Sequence, residues 1–146
     1  MTLRNLVGRS LEALEPDKAM IQRLLAAAKR NINDAHTETL SDENRFDMGY
    51  KAIMQLANAA LQANGFRTLT SVPGHHQTML QSLGKTIGLD SDVIIELDAL
   101  RKQRNVADYS GDLVPESSML ACLTRAEELM EMVSAYLKKE HPELME

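Results

Sequence analysis

The chain has 146 residues, 44% apolar and 25% charged, enough for one folded domain with its own core and against wholesale disorder. It carries 16 basic and 21 acidic residues, a formal net charge of −5, so a broad cationic face for duplex DNA is not expected. A lone cysteine, Cys122, excludes an intramolecular disulfide and a thiolate-rich zinc site, and no apolar run approaches the ~20 residues of a membrane span. No signal-like apolar stretch opens the sequence, and a cytoplasmic setting is expected.

Taken in chain order, Leu3, Leu6, Val7, Leu11 and Leu14 form a short stripe that predicts a small helix within residues 1–15, separated from the next element by Pro16. Ile21, Leu24, Leu25, Ala28, Ile32 and Ala35 recur at three- and four-residue steps, and Asp17 is placed to cap that helix. A second long helix is predicted from Ser41, a good N-cap, to Asn64-Gly65, a C-terminal stop. Its alanines at 52, 57, 59, 60 and 63 make it thin, so that neighbours can approach closely.

Periodicity is lost between Phe66 and Gly74, where Pro73-Gly74 signals a turn. A short helix from about His75 to Leu83 follows. Asp90, Ser91 and Asp92 then offer caps for a helix running to Tyr109, and Gly111 and Pro115 break the chain again. The longest helix is expected over Glu116 to Lys139, with Met119, Leu123, Ala126, Met130, Val133 and Leu137 on its inner face. Residues 116–146 hold seven acidic against three basic groups, read as a solvated helix face and, over 140–146, an acidic tail. No segment alternates with period two, so no sheet is expected. The fold class is all-α: an up-and-down bundle of about five helices in a single domain over residues 1–146.

One position breaks the pattern. Val93, Leu97, Leu100 and Ala107 share a face, and Arg104 falls in the middle of it at 100° per residue. A guanidinium there is either paired or marks where the core opens into a cleft. Asp108, four residues on, is a pairing candidate, and Asp47 on the second helix is another across the bundle. Arg101 and Asn105 flank the position, and Tyr109 closes the segment. Arginine's fork suits phosphate oxygens, and asparagine can orient a ribose or phosphate group. The competing reading is a structural Arg104–Asp108 pair in a non-catalytic helical interaction scaffold.

The segment Leu100-Arg101-Lys102-Gln103-Arg104-Asn105-Val106-Ala107-Asp108-Tyr109 resembles the Arg-Asn motif of HEPN domains (higher eukaryotes and prokaryotes nucleotide-binding). Ala60 to Arg67 and Gly74-His75-His76 are similar to the family's second-helix end and third-helix start, so the likeness spans about residues 17 to 139. It implies a HEPN-like bundle that forms a homodimer and binds RNA or a nucleotide. It also implies a toxin–antitoxin or stress-defence setting, with a nucleotidyltransferase-type antitoxin as partner. Many members are metal-independent ribonucleases with the pattern R-N-x-x-x-H. Here Arg104 and Asn105 match, but the histidine position holds Tyr109. A phenol titrating near 10 exchanges protons poorly at neutral pH, so binding is expected ahead of catalysis, with Tyr109 stacking on a base or donating a hydrogen bond.

The expected ligand-binding set is Arg101, Arg104, Asn105, Asp108, Tyr109, His75 and His76. Arg104 would hold phosphate and Asn105 orient its neighbour; both, with Tyr109 in the histidine's place, are the catalytic candidates should the motif be active. His75 and His76 are read first as helix-start residues bonding locally, and second as a spatial substitute for the missing histidine. Adjacent helical residues point 100° apart, so the two do not share a metal ion, and no metal or cofactor is expected. His36 and His141 read as helix-end surface residues, Tyr50 as a core residue with its hydroxyl on a polar group, and Cys122 as a buried filler. Gly84 to Gly88 lacks the ending of a phosphate loop.

Overall fold

The computed structural model describes residues 2–111 and 113–146. Five helices make up most of it: α1 (Lys18–Ala35), α2 (Asp42–Ala63), α3 (His75–Thr86), α4 (Ser91–Ser110) and α5 (Glu116–Glu140). Local chemistry sets their ends. The Asp17 carboxylate accepts from the Ala19 and Met20 amides, Ser41 Oγ accepts from Asn44 N at 3.1 Å, and Asp90 accepts from Asp92 N. Arg45 Nε donates to the Ala35 carbonyl at 2.8 Å, which supplies the end of α1 with a cation from the start of α2. Gly65 and Gly111 take positive φ just past α2 and α4, where a Cβ would be strained.

The helix α2 is the central post, in contact with each of the other four. Thirteen of its residues are buried, among them Phe46, Tyr50, Ile53 and Leu56 and a run of alanines. At Gly49 the absence of a side chain matters: a Cβ there would sit 3.1 Å from both Cys122 Sγ and Leu123 Cδ1 of α5. One apolar core joins all five helices, from Ile21 and Ala28 on α1 through Leu80 and Leu97 to Leu129 and Leu137 on α5.

Two expectations are corrected. Residues 2–15 do not form an α-helix. Leu3–Leu6 is a 3-10 turn, and Leu11–Ala13 is a strand, β1, paired antiparallel with β2 (Phe66–Thr68) in the register Leu11↔Thr68, Glu12↔Arg67 and Ala13↔Phe66. The stripe of leucines serves this ribbon instead: Leu11 and Phe66 close over Leu61 in a small second core, with Leu3 and Leu6 against it. A two-stranded sheet therefore exists where none was expected. The final residues are held against α1. Pro142–Leu144 makes a 3-10 turn, Leu144 is buried, and Gln22 Nε2 donates to the Leu144 and Glu146 carbonyls, each at 3.2 Å.

The α2–α5 contact predicts that Gly49→Leu lowers the unfolding free energy by about 1–3 kcal/mol through overpacking against Cys122 and Leu123. Urea denaturation checks this; an unchanged midpoint would mean that the two helices separate without cost.

Candidate functional site

The helix that carries the Arg-Asn pair is apolar on two opposite sides. Leu97 and Leu100 face the core, with Val93 half-buried beside them. On the far side Ile95 is 68% exposed, Val106 56% and Tyr109 93%. Ile95, Ala99, Lys102, Val106 and Tyr109 follow one another at four- and three-residue steps, so they form one outward stripe.

Arg104 lies on the core-facing side. Its side chain is mostly shielded, with Nε 3.4 Å from Asp47 Oδ1 and 3.5 Å from Asp108 Oδ2. The guanidinium carbon stands 5.0 Å from the centroid of the Tyr50 ring, a cation–π contact. Both pairing candidates raised by the spacing are thus engaged at once, at distances that give attraction with only weak hydrogen bonding. Arg104 and Asp108 line a recess of about 160 Å³ together with Glu43 and Asp47. Three carboxylates around one guanidinium make this a poor seat for an anion.

A second recess, of about 330 Å³, opens where the start of α3 meets α4. It is lined by His75, His76, Gln77, Arg101, Asn105 and Tyr109. Five of the seven expected ligand-binding residues meet here, and Arg104 and Asp108 do not. The single cleft read from the sequence is therefore two. The reason is helical geometry: Arg104 and Asn105 are neighbours and point 100° apart, so one turns to α2 and the other to α3.

Arg101 Nε donates to Asp98 Oδ1 at 2.8 Å, and this bond holds the Asp98 carboxyl below its ordinary range. Lys102 also approaches Asp98, at 3.5 Å. One carboxylate does not exhaust a fork of five N–H donors, so the pair orients Arg101 without neutralising its usefulness. Gly74 precedes α3 in a left-handed conformation with no side-chain cap, and the positive end of that helix faces the recess.

The histidines do not simply bond locally. His76 Nδ1 lies 3.2 Å from the Tyr50 hydroxyl, across to α2, and the His75 ring packs edge-on at 4.6 Å between centroids. Burial, then the neighbouring His75, then the charges of Arg104 and Arg101 hold the His76 pKa below its ordinary value. Tyr50 is 2% exposed, and burial pushes its pKa up to about 12. Tyr50, expected as a core residue with its hydroxyl on a polar group, finds that group in His76; a 26-residue separation gave no local sign of which partner it would be.

Elsewhere, His36 pairs with Glu127 on the surface, as expected of a helix-end surface residue, while His141, expected likewise, is shielded against the Tyr136 hydroxyl at 3.3 Å. Cys122 is wholly buried, its thiol pushed up to about 12 by burial, as fits an inert filler. Among the described residues no group of three or more His, Cys, Asp and Glu is arranged to hold a metal ion, and no helix is long and apolar enough to cross a membrane.

A depressed histidine gives a signed pH effect. His76 binds its proton more weakly in the folded chain than in the unfolded one. Stability is therefore full above the unfolded value, about 6.5, and falls as the pH drops through the lower folded value. Thermal melts from pH 7.5 to 5 are expected to show this acid-side loss in the wild type and a shallower one in His76→Gln; identical slopes would contradict it.

No family model, no curated protein and no solved structure matches the chain, so its function has to be read from its own residues.

Proposed function

We propose that the chain is a HEPN-like homodimer that binds RNA or a nucleotide through the recess formed by α3 and α4. The observation that carries this reading is the meeting of His75, His76, Arg101 and Asn105 in one recess, with Tyr109 exposed at its lip. Arg101 supplies the fork for phosphate, and the start of α3 adds its partial positive charge. Asn105 can both donate to and accept from a ribose. The almost fully exposed phenol of Tyr109 offers a stacking surface, which favours an unpaired base over a duplex. Arg104, the expected phosphate holder, is given a different task here: it braces Tyr50 behind His76.

The outward stripe of α4 from Ile95 to Val106 supports the homodimer. Its four- and three-residue spacing is that of a helix-pairing seam, and it runs beside the recess, so a second copy would wall the site on its open side. A cytoplasmic toxin–antitoxin role, with a nucleotidyltransferase-type partner, belongs to the same reading and draws its support from the motif resemblance alone.

A second reading is a metal-independent ribonuclease. What favours it is that α3 brings two histidines to the recess in which the motif position offers only Tyr109. An imidazole is the kind of group that can exchange protons with a 2′-hydroxyl and a departing 5′-oxygen.

Titration with a short single-stranded oligoribonucleotide tests the binding reading. Arg101→Ala is expected to weaken binding and reduce the salt slope by about 1, and Tyr109→Ala to cost about 1–3 kcal/mol of binding. An Ile95→Glu/Val106→Glu variant is expected to run as a monomer in sedimentation. The reading is lost if the wild type binds no RNA or nucleotide, or if Arg101→Ala and Tyr109→Ala leave the affinity untouched. Cleavage that survives chelator and disappears in His75→Ala or His76→Ala decides for the ribonuclease; RNA that stays intact decides against it.

A further inference from the structure

The bond between Tyr50 and His76 has a direction that the surroundings settle. Tyr50 is buried, and among the described residues its hydroxyl has one partner, His76 Nδ1 at 3.2 Å. Were the hydroxyl to accept from an Nδ1–H group, its own hydrogen would be stranded in the core. A stranded donor costs more than an unused lone pair, because the oxygen has two acceptor sites and only one proton. The phenol also keeps its proton at neutral pH, since burial pushes its pKa up to about 12. Arg104, 5.0 Å above the ring, and Arg101 pull the other way on the phenol's charge but do not outweigh burial. Nδ1 therefore accepts. In a neutral imidazole the one ring proton then sits on Nε2.

We propose that Tyr50 fixes neutral His76 as the Nε2–H tautomer, so that this ring meets the recess as a hydrogen-bond donor and not as a base. The tautomer stands on the free chain alone; its use toward a phosphate oxygen rests on the reading given above. Any general-base duty in the recess then falls to His75. Arg104 and Tyr50 are positioning residues: Asp47 and Asp108 hold the guanidinium, the guanidinium covers the phenol, and the phenol holds the imidazole.

The tautomer is read from two-bond ¹H–¹⁵N correlation spectra of the labelled chain, recorded above the titration of His76. The wild type is expected to show Nε2 as the protonated nitrogen and Nδ1 as the bare one. Tyr50→Phe, with its helical circular dichroism retained, is expected to lose that fixed pattern. Companion titrations use inorganic phosphate and a short oligouridylate. His76→Gln places an amide N–H near the position of Nε2–H and is expected to stay within about twofold of the wild type, whereas His76→Leu weakens binding about five- to tenfold. A wild-type ring protonated on Nδ1 overturns the proposal, and so does a folded Tyr50→Phe whose tautomer is unchanged. Should Tyr50→Phe fail to fold, the wild-type spectrum and the Gln–Leu contrast still decide. A wild type that shows the Nε2–H ring yet binds neither probe upholds the tautomer and defeats the binding reading instead.

Discussion

Because α2 is buried along most of its length, its side chains have to be small wherever another helix crosses it, and this steric constraint fixes the distances that matter elsewhere. Gly49 admits the α5 backbone near Cys122, and the buried alanines from 52 onward keep the rest of the helix thin where its neighbours pack. The large buried side chains of α2, Phe46, Tyr50, Ile53 and Leu56 among them, fill the space beside these small residues. Asp47 comes to rest beside Arg104, and the Tyr50 hydroxyl beside His76, on the same turn of the same helix. The polar side of the molecule is thus positioned by the way its apolar centre is filled. A shift of α2 by a fraction of a turn would break both contacts together.

Arg104 illustrates how a charge on a core-facing stripe is accommodated. Two carboxylates approach it without closing to short hydrogen bonds, and an aromatic face takes the remaining side. The guanidinium is neither fully buried nor free. It spends its charge on neighbours that are themselves partly exposed, so its contribution is one of arrangement more than of large stabilisation. Its effect reaches the recess through Tyr50 and through the field that opposes protonation of His76.

What could be read from the sequence was what local chemistry decides. Asp17, Ser41 and Asp90 announce helix starts because a cap bonds to amides two or three residues on, and Gly65 and Gly111 announce ends because only glycine takes that backbone freely. The oddity of Arg104 was visible from angular position alone. The β1–β2 ribbon was not: two strands of three residues, far apart in the chain, carry too little alternation to register, and the leucines on either side of Leu11 mimic a helical stripe. Nor could spacing tell that Arg104 and Asn105 serve different recesses, since that depends on which neighbour each side of α4 meets. The Tyr50–His76 bond belongs to the same class, a contact made by packing between elements that share no local signal.

The two-sided helix α4 has a consequence for how the folded state behaves as a whole. A surface such as that around Ile95, Val106 and Tyr109 exists only when α4 is formed and docked through Leu97 and Leu100. Whatever covers it therefore engages the native chain and not the unfolded one, and by mass action draws the equilibrium toward the native form. A species that covered it would raise the resistance to heat with its own concentration, and a melting temperature measured without it would describe the uncovered body alone.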